Sequence, residues 1–161
     1  MAGKENITIA ARDGEPLHAT WYTGPQLSKD DRTIAILCHG FTGDREEWGR
    51  FPAMASALSK AGIDAVIFDF TGSGENNRRP VSLFRQVADL EDVGSWAGQR
   101  GYSHLATIGL SFGGLTTLLA EIPARRVAVF WAPAFYMNTL FASSRWKLMR
   151  FFYDSATSSI L

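Results

Sequence analysis

Five residues near the middle of the chain, Gly109-Leu110-Ser111-Phe112-Gly113, fit the pattern G-x-S-x-G. A serine hydroxyl between two glycines can serve as a nucleophile if the backbone turns sharply enough to present it. Flanking glycines permit that turn, and a helix beginning just behind the serine adds a positive dipole end where an oxyanion would form. Ser111 is therefore the candidate catalytic residue, with Gly109 and Gly113 as its supports. A second stretch, His39-Gly40-Phe41-Thr42-Gly43, follows an apolar run. A glycine at a strand end lets the chain turn, so the N–H of Phe41 is expected to point to the same place as the N–H of Phe112. Two such donors make an oxyanion hole. Gly40 supplies the turn, and His39 is read mainly as a buried histidine that hydrogen-bonds its own loop.

These residues need a frame, and the flanking sequence predicts one. "ENITIAA" and "PLHATWY" alternate around Asp13-Gly14 and read as an N-terminal hairpin. "TIAILCHG", "DAVIFDF", "HLATIGL" and "RVAVFWAP" are continuous branched and apolar runs, which suit strands buried on both faces of a parallel sheet. Between them lie helical spacings. Phe51, Met54, Ala55, Leu58 and Ala61 recur on one face. Leu83, Val87, Leu90 and Trp96 or Ala97 form the expected buried stripe of a longer helix that Ser82 caps and Gly101 closes. "FGGLTTLLAEI" is a third helix, terminated by Pro123, and "DREEW" is a charged loop or short helical turn. Strands alternating with helices call for an α/β fold with a mostly parallel sheet covered on both faces.

With the motifs placed, the chain resembles an α/β-hydrolase. H-G-F-T-G at 39–43, "FDFTGSGEN" at 68–76 and G-L-S-F-G-G at 109–114 are similar to the serine aminopeptidase-like and feruloyl-esterase-like branch, over about residues 5–135. One departure stands out: members of that branch usually carry arginine in the D-x-R-G-x-G segment, where this chain has Thr71. The resemblance implies the chain order serine, then acid, then histidine. No histidine follows Ser111, and the acids beyond it are Glu121 and Asp154. It also implies two further parallel strands beside "RVAVFWAP", so the C-terminal strands of the fold are expected to be lacking and an apolar sheet edge to be open. Residues 1–135 are accordingly read as the N-terminal part of a hydrolase core, and 136–161 as the start of a cap or an amphipathic tail.

The earlier histidines are poor substitutes for the base. His104 begins the strand that ends at Ser111, roughly 23 Å away along seven residues. His18 is expected to be remote on the hairpin, which leaves His39 alone at the right edge of the sheet. Cys38, at the buried end of a strand, is a weaker nucleophile candidate than Ser111. Gly72-Ser73-Gly74 after a strand also suggests dinucleotide binding, but the third glycine position is Asn77 and the pair follows a middle strand. Asp69 reads as a carboxylate that organises its loop.

Composition narrows the rest. Sixteen basic residues balance sixteen acidic ones, which removes the electrostatic argument for nucleic acid. The single cysteine forbids an internal disulfide, and no run approaches the roughly 20 apolar residues of a membrane span. The expectation is a cytoplasmic serine hydrolase without metal or cofactor. It would act on a small-molecule ester or, less readily, an amide, be impaired as this chain, and be able to self-associate through the open edge. The rival reading is a non-catalytic scaffold of the same fold that binds a partner or small ligand.

Overall fold

A computed structural model describes residues 3–25, 32–76 and 79–136. Two strands, β1 (Gly3–Ala10) and β2 (Pro16–Thr23), form the expected hairpin, with Gly14 in the left-handed region at its turn. The parallel strands follow as β3 (Thr33–Cys38), β4 (Asp64–Phe68), β5 (His104–Leu110) and β6 (Arg125–Trp131). Between them run α1 (Arg50–Lys60), α2 (Leu83–Gln99) and α3 (Phe112–Leu119). The sheet order is β1-β2-β4-β3-β5-β6, with β1/β2 and β2/β4 antiparallel and the other pairs parallel.

Because side chains alternate along a strand, β3 feeds two cores. Ile34, Ile36 and Cys38 join Leu90, Val93 and Ala97 of α2 on one face, whereas Ala35 and Leu37 meet Phe51 and Ala55 of α1 on the other. Helices thus cover both faces. The central strands β3 and β4 are buried almost throughout, which is why they read as unbroken apolar runs.

Several local expectations change. Leu83 and Val87 are only partly buried, and the face of α2 turned to the core carries two fully packed polar residues, Gln86 and Asp89. Ser82 occupies the N-cap position, but its hydroxyl makes no capping hydrogen bond. Helix α3 ends at Leu119, with Ala120 already extended, so Pro123 lies in the turn beyond the helix and does not itself stop it. Among the described residues β6 is an edge strand whose other side is unpaired, and Val127, Val129, Phe130 and Trp131 are 38–52% exposed. Of the expected cap or tail, only Tyr136 lies within the described residues.

Candidate active site

The C-terminal ends of β3, β4 and β5 bring together the segments that the motifs singled out. Ser111 joins β5 to α3 with φ 52° and ψ −114°, a conformation L residues rarely adopt. Its neighbours explain why the turn holds. A Cβ on Gly109 would collide with the carbonyl of Gly113, and one on Gly113 would collide with the carbonyl oxygens of Cys38 and His39. The two glycines let helix α3 start directly against β3. The Ser111 N–H donates to the Trp131 carbonyl (3.0 Å), while its own carbonyl accepts from Gly114 and Ala134 (3.0 Å each), so both sides of the turn are tied down.

The loop after β3 lies alongside. A Cβ on Gly40 would stand 3.4 Å from Cβ of Ser111, and the rings of Phe41 and Phe112 meet edge to face at 5.7 Å. The loop after β3 therefore lies against the Ser111 turn. As the first residue of α3, Phe112 has an N–H with no carbonyl partner inside the helix.

His39 fixes the peptide plane that carries the Phe41 N–H. Its ring is fully buried, Nε2 accepts from the N–H of Phe70 (3.1 Å), and Nδ1 must then carry the proton it donates to the carbonyl of Gly40 (2.8 Å). The Gly40 carbonyl and the Phe41 N–H belong to one rigid peptide plane, so fixing the first aims the second. The Gly43 N–H reinforces this by donating to the same carbonyl (3.1 Å). Burial holds the imidazole below its ordinary pKa, against the opposing pull of Asp69, Glu47 and Asp44. With both ring nitrogens engaged, His39 has no lone pair to offer as a base.

The other histidines separate differently than expected. His104 begins β5 at the far end of the sheet from Ser111. His18, by contrast, lies at the same edge as Ser111, because β2 runs antiparallel to β4 and the His18 carbonyl accepts from the Asp69 N–H (2.9 Å). His39 is therefore not alone at that edge. Three strand spacings still separate β2 from β5, roughly 14 Å, and Asn76 Oδ1 holds the His18 ring at Nδ1 (2.7 Å). Cys38 is fully buried and its thiol is pushed up to about 12, which leaves it unreactive.

Asp69 organises its loop as read. Its carboxylate accepts from the backbone N–H groups of Arg45 (2.7 Å) and Glu75 (3.0 Å) and pairs with the Arg45 guanidinium. The turn at Gly72-Ser73-Gly74 closes on it so tightly that a Cβ on Gly74 would strike the carboxylate. That turn wraps a side chain of its own protein, which removes the dinucleotide reading. At the departure from the family pattern, Thr71 donates through its N–H (2.8 Å) and hydroxyl (3.2 Å) to Asp89. Arg85 of α2 reaches both Thr71 Oγ1 (3.2 Å) and Asp89 Oδ1 (3.0 Å), bringing a guanidinium from the helix to the segment where an arginine was expected.

Sequence reading missed Glu47. It lies just after the loop, and its Oε1 accepts from the Gly40 N–H at 2.7 Å. The loop and Ser111 together line a cleft of about 290 Å³ with Glu47, Trp48, Arg50 and Leu110 at its sides.

Comparison with known proteins gives this arrangement its relatives. A sequence model described as the alpha/beta hydrolase family matches residues 35–160. The chain belongs to the alpha/beta hydrolase family. Among this chain's relatives is an uncharacterized 31.7 kDa protein of Escherichia coli from the traX-finO intergenic region, 33% identical over 99 residues, 58% of this chain and 34% of that protein. The esterase Pf2001 of Pyrococcus furiosus superimposes with a TM-score of 0.74 at 21% identity, covering 94% of this chain and 56% of that one. XC6422 of Xanthomonas campestris, described as an a/b serine hydrolase without a lid, superimposes with a TM-score of 0.67 at 26% identity, covering 81% and 61%. The chain thus spans about half the length of the solved structures it matches. No helix among the described residues is long and apolar enough to cross a membrane, and they contain no cluster of His, Cys, Asp and Glu that could hold a metal ion.

Proposed function

We propose that this hydrolase carries the nucleophile and oxyanion hole of a serine hydrolase acting on small esters, with Ser111 as nucleophile and the N–H groups of Phe41 and Phe112 as donors. The observation that carries the reading is the left-handed backbone of Ser111, held between β5 and α3 with the Gly40 turn beside it. Ser111 Oγ attacks the acyl carbon, the carbonyl oxygen becomes the oxyanion between the two donors, and the alcohol leaves once it is protonated. Attack requires a base for the hydroxyl proton, and no histidine follows Ser111 in this sequence. We assign the base and the acid that orients it to protein outside this chain, in keeping with its spanning about half of its solved relatives.

In isolation the chain should turn over ester poorly, because removing the base from a triad costs on the order of 10⁶ in turnover and leaves some 10³–10⁴ over water. A fluorophosphonate probe tests the nucleophile directly: peptide mass analysis should place the adduct on Ser111. Labelling no higher than that of a Ser111→Ala variant would remove the claim that Ser111 is reactive in this chain without the base.

The exposed apolar edge at β6 favours a second reading, in which the scaffold is non-catalytic and engages another chain there. Concentration-dependent association with unlabelled Ser111 supports that reading; labelled Ser111 supports the first.

A further inference from the structure

We infer that Glu47 is a positioning residue for the oxyanion loop, acting through a hydrogen bond and not through its charge; this rests on the serine-hydrolase reading above. The argument starts from two consecutive peptide planes. The plane joining Gly40 to Phe41, which carries the Phe41 donor, is held by His39 and Gly43 at the Gly40 carbonyl. The plane before it, joining His39 to Gly40, presents the Gly40 N–H, and that N–H is held by Glu47 Oε1 at 2.7 Å. Fixing only one of the two would leave the loop free to swivel at Gly40, which has no side chain to restrain it.

The carboxylate is seated inside the curve of the loop. A Cβ on Gly43 would stand 2.5 Å from Glu47 Oε1, and one on Gly40 would stand 3.6 Å from it. Glycines at 40 and 43 are thus what admits the carboxylate as well as what allows the turn. The backbone that delivers it is itself unusual. Glu47 and Trp48 are consecutive non-glycine residues with φ 40° and 56°, in a left-handed turn that Asp44 supports by accepting from the Glu47 N–H. Strained residues in succession persist only where the surroundings over-determine them. Here the strain returns a side chain seven positions along the sequence to the peptide just before the donor.

The test separates reach from charge, using fluorophosphonate labelling of the full chain. Glu47→Gln keeps an acceptor oxygen at the same distance and should label within about threefold of the parent with the same pH profile, whereas Glu47→Ala should lose about tenfold to a hundredfold in the bond-forming rate with little change in probe affinity. Glu47→Asp keeps the charge but falls a methylene short, and should behave like Glu47→Ala. A Glu47→Gln variant as slow as Glu47→Ala, or a fully active Glu47→Asp, overturns the inference. Exchange of the Gly40 amide, followed by NMR, is the second readout. It should be slow in the parent and in Glu47→Gln and fast in Glu47→Asp, and equal exchange in all three overturns the inference whether or not Ser111 labels. An unlabelled parent, by contrast, bears only on the reactivity of Ser111 in this chain, and the Gly40 exchange then decides the inference.

Discussion

Gly113 of helix α3 rests on the backbone of Cys38 at the end of β3, so closely that any side chain there would overlap the Cys38 carbonyl oxygen. This contact ties the Ser111 turn to the strand that launches the Gly40 loop, the two segments we propose as nucleophile and oxyanion loop. A Gly113→Ala substitution must push α3 away from β3, and overpacking of this kind costs about 1–3 kcal/mol. Urea denaturation should show a loss of that size, and the folded variant should lose Ser111 labelling because the Phe112 N–H moves with the helix.

The backbone of Ser111 offers a second check that does not depend on catalysis. At φ 52° and ψ −114° an L side chain is strained, and relieving such strain is worth about 1–3 kcal/mol. Ser111→Gly should therefore be more stable than Ser111→Ala by about 1 kcal/mol or more, although both remove the same hydroxyl. Equal melting behaviour of the two would mean that the turn is not strained in solution.

His39 predicts a pH dependence with a definite sign. Its imidazole is kept neutral by burial, so its folded-state pKa lies below the ordinary value near 6.5. As pH falls below that value the unfolded chain takes up a proton that the folded chain refuses, and stability drops at up to about 1.4 kcal/mol per pH unit. Above that value both states are neutral and the contribution is flat. Asp13 and Glu75, whose carboxyls are held low by Arg85 and Arg45, respond at more acid pH and do not overlap this window. Urea titrations between pH 7 and 5 should show the slope in the parent and a shallower one in His39→Gln.

What could be read from the sequence and what could not divides along a physical line. The elbow at Ser111 was legible because its requirements are local: a buried strand, two glycines and a helix, all within a dozen residues. The place of the loop after β3, beside Ser111, was legible for the same reason. The location of His18 was not, since it depends on β2 crossing back antiparallel to β4, a pairing between segments some fifty residues apart. Glu47 looked like one charge in "DREEW" because its role needs two left-handed residues in a row, which no propensity suggests. Asp89 and Gln86 broke the expected apolar stripe of α2 because their partners, Thr71 and Thr116, come from other elements.

That buried polar cluster supports an asymmetric prediction. Asp89 is fully buried, and burial raises its pKa despite the hydrogen bonds from Thr71 and the nearby Arg85 guanidinium. Removing the cation by Arg85→Ala leaves a buried carboxylate with only the Thr71 donors, a change of the kind that costs about 3 kcal/mol. Asp89→Asn removes the charge, keeps an oxygen to accept from the Thr71 N–H, and should cost less. Urea denaturation of the two variants at neutral pH checks the order, and the reverse order would mean that the ion pair, not the burial of its carboxylate, dominates.

The edge at β6 carries the last prediction. Its outer backbone is unpaired among the described residues, and the exposed Val127, Val129, Phe130 and Trp131 make it an apolar strand of the kind that pairs with other chains. The isolated chain should therefore associate as its concentration rises. A lysine in place of Val129, which is 44% exposed, adds a charge that resists pairing without entering the core. Sedimentation of the parent and of Val129→Lys across a range of concentrations decides the point. Association that Val129→Lys weakens, with Ser111 labelling retained, places the contact at β6 and away from the nucleophile. A parent that stays monomeric shows that the edge is protected by something other than a second copy.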